Sequence, residues 1–369
     1  MMRIIHIVGT LNPGGIERIV VDLAIAQKQI GHQPCVCCVL RREGLFLNIL
    51  QRYEIPVFDA CSKGLPWRIG KALAHVLEQF KPDVVHSHVN FSLFWQVIGV
   101  KRVRSVPFIV TQHSLMSVSS LGRLRARLLY RLAQKHIALH TAVSRYAACY
   151  AAWLYGIPLN AIRVIYNGVH VSHYKFNPER RAELRHKWGI PPDGFLWGSV
   201  GRFDPTKGHD LLLDAFAQAV QRVPSLWLAL VGKGDLEAIL KAKSIDLGCN
   251  DRILWLGQRE DISDVLSAFD GYVQPSRQES LSLAILEALA NGLPVVATKV
   301  GGIPEIASYA GSVVNLVPPE DPEALATALQ AIEQWQKLNV PRNSLLPEVF
   351  SFQTMLESYQ RCYQEVCNQ

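Results

Sequence analysis

The stretch Pro275–Glu305, PSRQESLSLAILEALANGLPVVATKVGGIPE, decides how this chain is read. It opens on the turn former Pro275-Ser276 and places Glu279 eight residues before Glu287. Leu283, Leu286, Leu289 and Ala290 recur at helical spacing and stop at Asn291-Gly292. Pro294 to Ala297 reads as a short buried strand, followed by Gly301-Gly302 and Pro304-Glu305. Glu279 therefore precedes a helix and Glu287 lies inside it. A helix start presents unpaired N–H groups and a partial positive charge, which suits phosphate. The amides of Ser280, Leu281, Ser282 and Leu283 are expected to hold an anion, with Glu279 and Glu287 accepting hydrogen bonds from hydroxyls on either side. A nucleotide sugar has that layout: sugar hydroxyls, diphosphate, ribose hydroxyls.

The block resembles the E-x7-E signature of the retaining family-4 glycosyltransferases, which have the GT-B fold. A lone E-x7-E is accounted for by an amphipathic helix with two surface glutamates. Here the glutamates come with the flanking P-S, an E-A-x-A-x-G-x-P-V run and the later G-G-x-x-E. The resemblance implies an α/β chain of two Rossmann-like domains, with parallel sheets facing a central cleft and a C-terminal helix crossing back to the first domain.

Outward from that block, the pattern agrees. At 369 residues the chain is long enough for two domains. Strand and helix patterns alternate from Ile4 to Asn167 and again from Phe195 to Trp335, the signature of parallel sheets covered on both faces. The proline-punctuated segment from His170 to Gly194 reads as a linker region with a short helix, and Leu338 to Pro347 as a loose segment before a last helix at Phe352–Val366. The expected division is 1–170 plus 351–369 as an acceptor-binding domain and 171–350 as the nucleotide-sugar domain. Ligands of open α/β sheets bind outside the carboxyl ends of the strands, and the motifs below fall at strand ends.

Gly201-Arg202 ends a strand and Lys207-Gly208 opens the next helix. Fixed cations aimed at a leaving diphosphate stabilise developing negative charge, and Arg202 and Lys207 resemble the family's diphosphate-binding pair. Gly14-Gly15 follows the first strand, where glycine lets a phosphate approach the backbone; G-G-x-E-R, Gly14 to Arg18, resembles the family's first-domain loop. No G-x-G-x-x-G follows that strand, which counts against a dinucleotide enzyme. His113 ends a strand and resembles the histidine that faces the donor sugar, with a positioning role. His86 and His88 end the preceding strand and read as polar cleft lining, ahead of a metal site. Gly232 and the pair Gln258-Arg259 resemble base-binding loops. Asn167-Gly168-Val169-His170 resembles the N-G-V-D before the interdomain crossing, with His170 in place of the acid.

Cysteine and charge usage set further bounds. Cys35, Cys37 and Cys38 lie in a strand-like run without a second ligand pair, so they read as core residues of a reducing compartment. The amino terminus reads as strand plus glycine loop rather than a signal peptide, and no apolar run is long enough to span a bilayer, so a cytoplasmic location is expected. Residues 1–189 hold 25 basic and 9 acidic residues, the remainder 13 and 22. From Val84 to Pro178 there are 11 basic residues and no acidic one. Within that run, Leu121, Leu124, Leu128 and Leu132 alternate with Arg123, Arg125, Arg127, Arg131 and Lys135 on a helical pattern. Two accounts fit: a half-buried helix with a charged outer face, or a helix lying on the anionic inner face of the plasma membrane. No aromatic or groove-reading elements accompany the charge, which argues against nucleic acid.

The resemblance implies transfer of a sugar from a nucleotide donor to a hydroxyl of a glycan or lipid-linked acceptor in polysaccharide synthesis, with the anomeric configuration retained. A UDP-sugar, UDP-glucose first, is the expected donor; GDP-mannose is the alternative. Glu279, Arg202, Lys207 and His113 are the expected catalytic groups. No D-x-D motif is present, so no metal or other cofactor is expected. A nucleotide-sugar epimerase of the same fold needs acid/base carboxylates in the first-domain wall, and the acid-free run supplies none. A non-catalytic sugar-nucleotide binder is the remaining rival, and the intact motifs speak against it.

Overall fold

The computed structural model describes residues 1–61, 66–90, 92–103, 106–115, 118–331 and 342–368. The chain divides into two units, residues 1–167 with 354–369, and residues 168–353. Residues 168–170 and 351–353 thus group with the second unit.

The first unit holds seven strands among the described residues: β1 (Arg3–Val8), β2 (Gln33–Cys38), β3 (Val57–Asp59), β4 (Val84–Ser87), β5 (Phe108–Gln112), β6 (Leu139–Ala142) and β7 (Ile162–Val164). They pair in parallel in the order β3-β2-β1-β4-β5-β6-β7. The order reverses beside β1, so the first and fourth strands open a switch point at their carboxyl ends. Helices α1 (Gly15–Gln29), α2 (Leu45–Arg52), α3 (Pro66–Phe80), α4 (Leu93–Val103), α5 (Ser120–Ala133) and α6 (Arg145–Tyr155) connect them. The three cysteines of β2 are buried and unpaired, as a core strand requires, and burial pushes the Cys38 thiol up to about 12.

The second unit pairs β8 (Phe195–Val200), β9 (Leu226–Val231), β10 (Ile253–Gly257), β11 (Gly271–Gln274), β12 (Val295–Thr298) and β13 (Val314–Val317) in the order β10-β9-β8-β11-β12-β13. Its helices are α7 (Pro178–Lys187), α8 (His209–Arg222), α9 (Glu237–Asp246), α10 (Ile262–Ala268), α11 (Leu283–Ala290), α12 (Ile303–Ala310) and α13 (Pro322–Gln330). Trp197, Phe203, Phe216, Leu228 and Leu230 anchor the core beneath α8 and β9.

The short helix expected in the linker region is α7, and it is tied into the second unit: Arg180 donates to Asp264 at 2.9 Å, and Arg185 to Asp270 at 2.8 Å. One expectation needs correction. The segment read as loose lies outside the described residues up to 341, but Arg342 is not loose. Its guanidinium donates to the carbonyls of Leu266, Ser267 and Phe269 at 2.8, 3.1 and 2.8 Å. Burial pulls its pKa down to about 9. The carboxyl end of the expected helix through Trp335 also lies outside the described residues.

The last helix, α14 (Phe352–Cys367), packs on the first sheet. The Tyr363 hydroxyl is 2.7 Å from His86 Nδ1, and Arg163 pairs with Glu365 at 2.7 Å. The crossing segments meet at Val169 and Ser351 in a parallel bridge. Gly168 allows it: a Cβ there would stand 2.2 Å from the Ser351 carbonyl oxygen. His170 stacks on Phe352 with ring centroids 3.8 Å apart, which gives the histidine at this position a packing role in place of the acid's.

Candidate active site

At the carboxyl edge of the second sheet, the segments after β8, β9, β10, β11 and β12 carry most of the singled-out residues. The centre is an ion pair: Lys207 Nζ contacts Glu279 Oε1, with the two side chains 22% and 10% exposed. A donor chain leads into the carboxylate. Tyr272 donates to Gln274 Oε1 at 2.9 Å, Gln274 Nε2 to Ser276 Oγ at 2.7 Å, and Ser276 Oγ to Glu279 Oε1 at 3.2 Å. These hydrogen bonds and the ammonium hold the carboxylate at one position, so any ligand hydroxyl meets a fixed acceptor.

The backbone of that loop is equally constrained. Gly301, at φ +58°, faces the Glu279 carbonyl so closely that a Cβ would lie 1.6 Å from its oxygen. Arg277 grips Asp210 through two bonds of 2.6 and 2.8 Å and reaches Glu320 at 2.6 Å, which holds the Asp210 carboxyl below its usual range.

The helix runs as its spacing predicts, from Leu283 to Ala290, but two of the amides expected at its start precede it. Helix α11 opens at Leu283, and Ser280 and Leu281 lie in a bend before it. Ser282 is its N-cap, accepting from the Ile285 amide at 3.4 Å. Glu287, half-buried on the helix, accepts from the Tyr174 hydroxyl at 2.7 Å. The structure therefore adds Gln274, Ser276 and Tyr174 to the residues around the two glutamates. Gln274 and Ser276 were legible as polar residues at a strand end; Tyr174 comes from the crossing segment and left no local signal.

The remaining positions fall as follows. Arg202 follows β8, is 79% exposed and pairs with Asp204 at 3.1 Å. Gly232 follows β9, its amide donating to the Gly257 carbonyl at 2.8 Å. Gln258 and Arg259 follow β10, and Arg259 pairs with Asp261 through contacts of 2.8 and 2.5 Å, which lowers the Asp261 pKa. In the first unit Gly14 is the N-cap of α1 and Gly15 its first residue.

His113 follows β5 and is buried, its pKa lowered to about 3 by desolvation. His86 and His88 do not line an open surface as expected. They are 0% and 2% exposed, because α1 and α14 cover the sheet above them. With His6 they form a group whose ligand-type nitrogens lie within 4.8 Å of one another.

The chain is similar to known glycosyltransferases in sequence and in fold. Residues 13–173 match the model "Glycosyltransferase Family 4" and residues 180–342 match "Glycosyl transferases group 1". A D-inositol 3-phosphate glycosyltransferase of Saccharomonospora viridis is 32% identical over 273 residues, covering 68% of this chain and 62% of that protein. A UDP-Gal:alpha-D-GlcNAc-diphosphoundecaprenol alpha-1,3-galactosyltransferase of Escherichia coli is 30% identical over 244 residues, 63% of this chain and 61% of that protein. The matches thus span less than two thirds of these relatives' length. The crystal structure of Anabaena HepE in complex with UDP-glucose superposes with a TM-score of 0.83 at 24% identity, over 99% of this chain and 100% of that one. The two family models, the paired parallel sheets and the returning helix together place this chain in the group 1, family-4 glycosyltransferases, with the GT-B fold.

Proposed function

We propose that the chain transfers a hexose from a nucleotide-sugar donor to a hydroxyl of a glycan or lipid-linked acceptor, retaining the anomeric configuration. The observation that carries this reading is the Lys207–Glu279 pair at the carboxyl edge of the second sheet. An ammonium and a carboxylate in contact match the junction of the donor, where an anionic diphosphate adjoins a hydroxyl-bearing sugar.

In this reading Lys207 and Arg202 stabilise the diphosphate as the anomeric C–O bond breaks. Glu279 and the backbone from Ser280 to Leu283 hold the sugar hydroxyls and neighbouring phosphate oxygens. Glu287 holds the ribose, and Gly232, Gln258 and Arg259 flank the base. Gly14 and Gly15 bring backbone amides toward phosphate. The acceptor hydroxyl attacks on the face the diphosphate leaves, and a departing phosphate oxygen takes its proton. Cations and amides carry the charge, so the assignment needs no divalent ion. UDP-glucose is favoured as donor, because proteins similar to this chain are described with UDP-glucose or a UDP-Gal donor.

An anionic leaflet is the proposed setting. The four leucines of α5 are 75, 64, 60 and 55% exposed, while Tyr130 and Ala133 on its other side are buried. The same face of the first sheet carries a pocket of about 380 Å³ lined by Trp67, Trp95, Arg68, Lys71 and Arg102. Exposed leucines among unopposed cations suit peripheral contact with anionic lipid on the cytoplasmic side.

The test is product analysis after incubation with UDP-, GDP- and ADP-sugars and a hydroxyl acceptor. Release of free UDP with formation of a glycosylated acceptor is expected. Release of GDP from GDP-mannose redirects the donor assignment. An epimerised donor, or no turnover of any donor, overturns the reading.

A further inference from the structure

The first unit contains a chain of buried imidazoles. Gln27 of α1 presents its amide oxygen to His6 Nε2 at 2.8 Å. His6 Nδ1 lies 3.0 Å from His88 Nε2, and His88 Nδ1 lies 2.9 Å from His113 Nε2. His86 stands beside the chain, bonded to Tyr363 and Thr111 at 2.7 Å each. At the far end His113 Nδ1 is buried and has no partner among the described residues. All four rings are held neutral by burial, which lowers each pKa, to about 4 for His6 and about 3 for His113.

A neutral imidazole has one N–H and one lone pair, so each link dictates the next. The Gln27 oxygen can only accept, so His6 carries its proton on Nε2 and accepts at Nδ1. His88 must then donate from Nε2 and accept at Nδ1, and His113 must donate from Nε2. Its Nδ1 is left as a bare lone pair. Every ring nitrogen of His6, His86 and His88 is already engaged in these bonds, so the group works as a hydrogen-bond chain rather than a metal site.

We propose that Gln27, His6 and His88 are positioning residues that fix His113 as the Nε2–H tautomer, so that its Nδ1 accepts a hydrogen bond from a hydroxyl of the sugar being transferred. The ligand half of this proposal rests on the glycosyltransferase reading; the tautomer half does not. A lone pair welcomes a hydroxyl and repels a carboxylate, so a hexose donor is selected over a hexuronate. An unpaired buried acceptor also explains itself once a ligand donor fills it.

The experiment uses the full chain labelled with 15N-histidine at neutral pH, with tautomers read from long-range proton–nitrogen spectra. His113 is expected to be protonated at Nε2 and bare at Nδ1. Gln27→Met and, independently, His6→Phe cut the chain at its first link and are expected to give His113 a mixed or reversed tautomer. His140, buried outside the chain, should stay unchanged. A native His113 protonated at Nδ1, or one indifferent to both substitutions, overturns the proposal. So does zinc binding that shifts His6, His86 and His88 together. In turnover, Gln27→Met is expected to lower kcat/KM for the hexose donor about tenfold, the scale of one lost hydrogen bond, and to narrow its preference over the uronate. An unchanged preference overturns the ligand half. The expected tautomers with no turnover of any donor would leave the chain standing and remove the glycosyltransferase reading instead.

Discussion

At the scale of single residues, Lys207 and Glu279 were assigned by resemblance to different parts of a ligand, the diphosphate and the sugar. In the folded chain they hold each other. In the proposed function a bound donor shares that pair, which suits charge that grows only as the leaving group departs. Lys207→Ala and Arg202→Ala are each expected to lower turnover by about 10²–10³, measured as kcat with saturating donor; near-native kcat in both would remove the two cations from the chemistry. The pairing itself was not legible, because nothing in the spacing of 207 and 279 says that two loops converge. What the sequence did show was each residue's place after a strand. It hid the hydrogen bonds that link Tyr272, Gln274 and Ser276 to Glu279, and the role of His170, whose stacking on Phe352 joins positions remote in sequence.

At the scale of elements, the loop that carries Glu279 is set by its neighbour after β12. Gly301→Ala places a methyl where the Glu279 carbonyl stands, at a φ that favours glycine. It is expected to cost more than about 2 kcal/mol of stability and to weaken donor binding; unchanged denaturant midpoints would show that the loop yields freely.

Helix α5 raises a second expectation. Its four leucines are exposed beside Arg125 and Arg131, so the chain is expected to co-sediment with anionic vesicles at low salt and to release as salt screens the charge. Leu124→Ser with Leu128→Ser should abolish binding; equal binding to neutral and anionic vesicles would contradict the charge argument.

Three elements escaped sequence reading for physical reasons. Strand β6 reads LHTA, with polar residues that are buried because His140 meets Tyr130 at 3.1 Å and Thr141 meets Thr111 at 2.6 Å. Strand β13 is interrupted by Asn315, and α12 is two turns with Pro304 at its start. Periodicity reports apolar burial, not burial secured by hydrogen bonds.

At the scale of the whole molecule, the two sheets differ in what acid does to them. Burial lowers the pKa of His6, His86, His88, His113 and His140 in the first unit and of His209 in the second. These folded values lie below the ordinary histidine value of 6.5, so the unfolded chain binds the protons first. The stabilisation is complete above pH 6.5 and is lost as pH falls from 6.5 toward about 4. Tm is expected to drop steeply across that window, with the first unit melting ahead of the second in calorimetry. A flat Tm from pH 7 to pH 4.5 would contradict the neutral buried histidines.

The alternation of strands and helices and the strand-end motifs made the two-sheet architecture legible from the chain, and the family resemblance implied the return of α14. The detailed site depended on contacts that only folding creates. The most direct test of the account is a crystal structure with a non-hydrolysable UDP-hexose. The account predicts the diphosphate against Lys207 at the carboxyl edge of the second sheet, with hydroxyls bonded to Glu279 and Glu287. A nucleotide seated away from that edge, with both glutamates untouched, would contradict it.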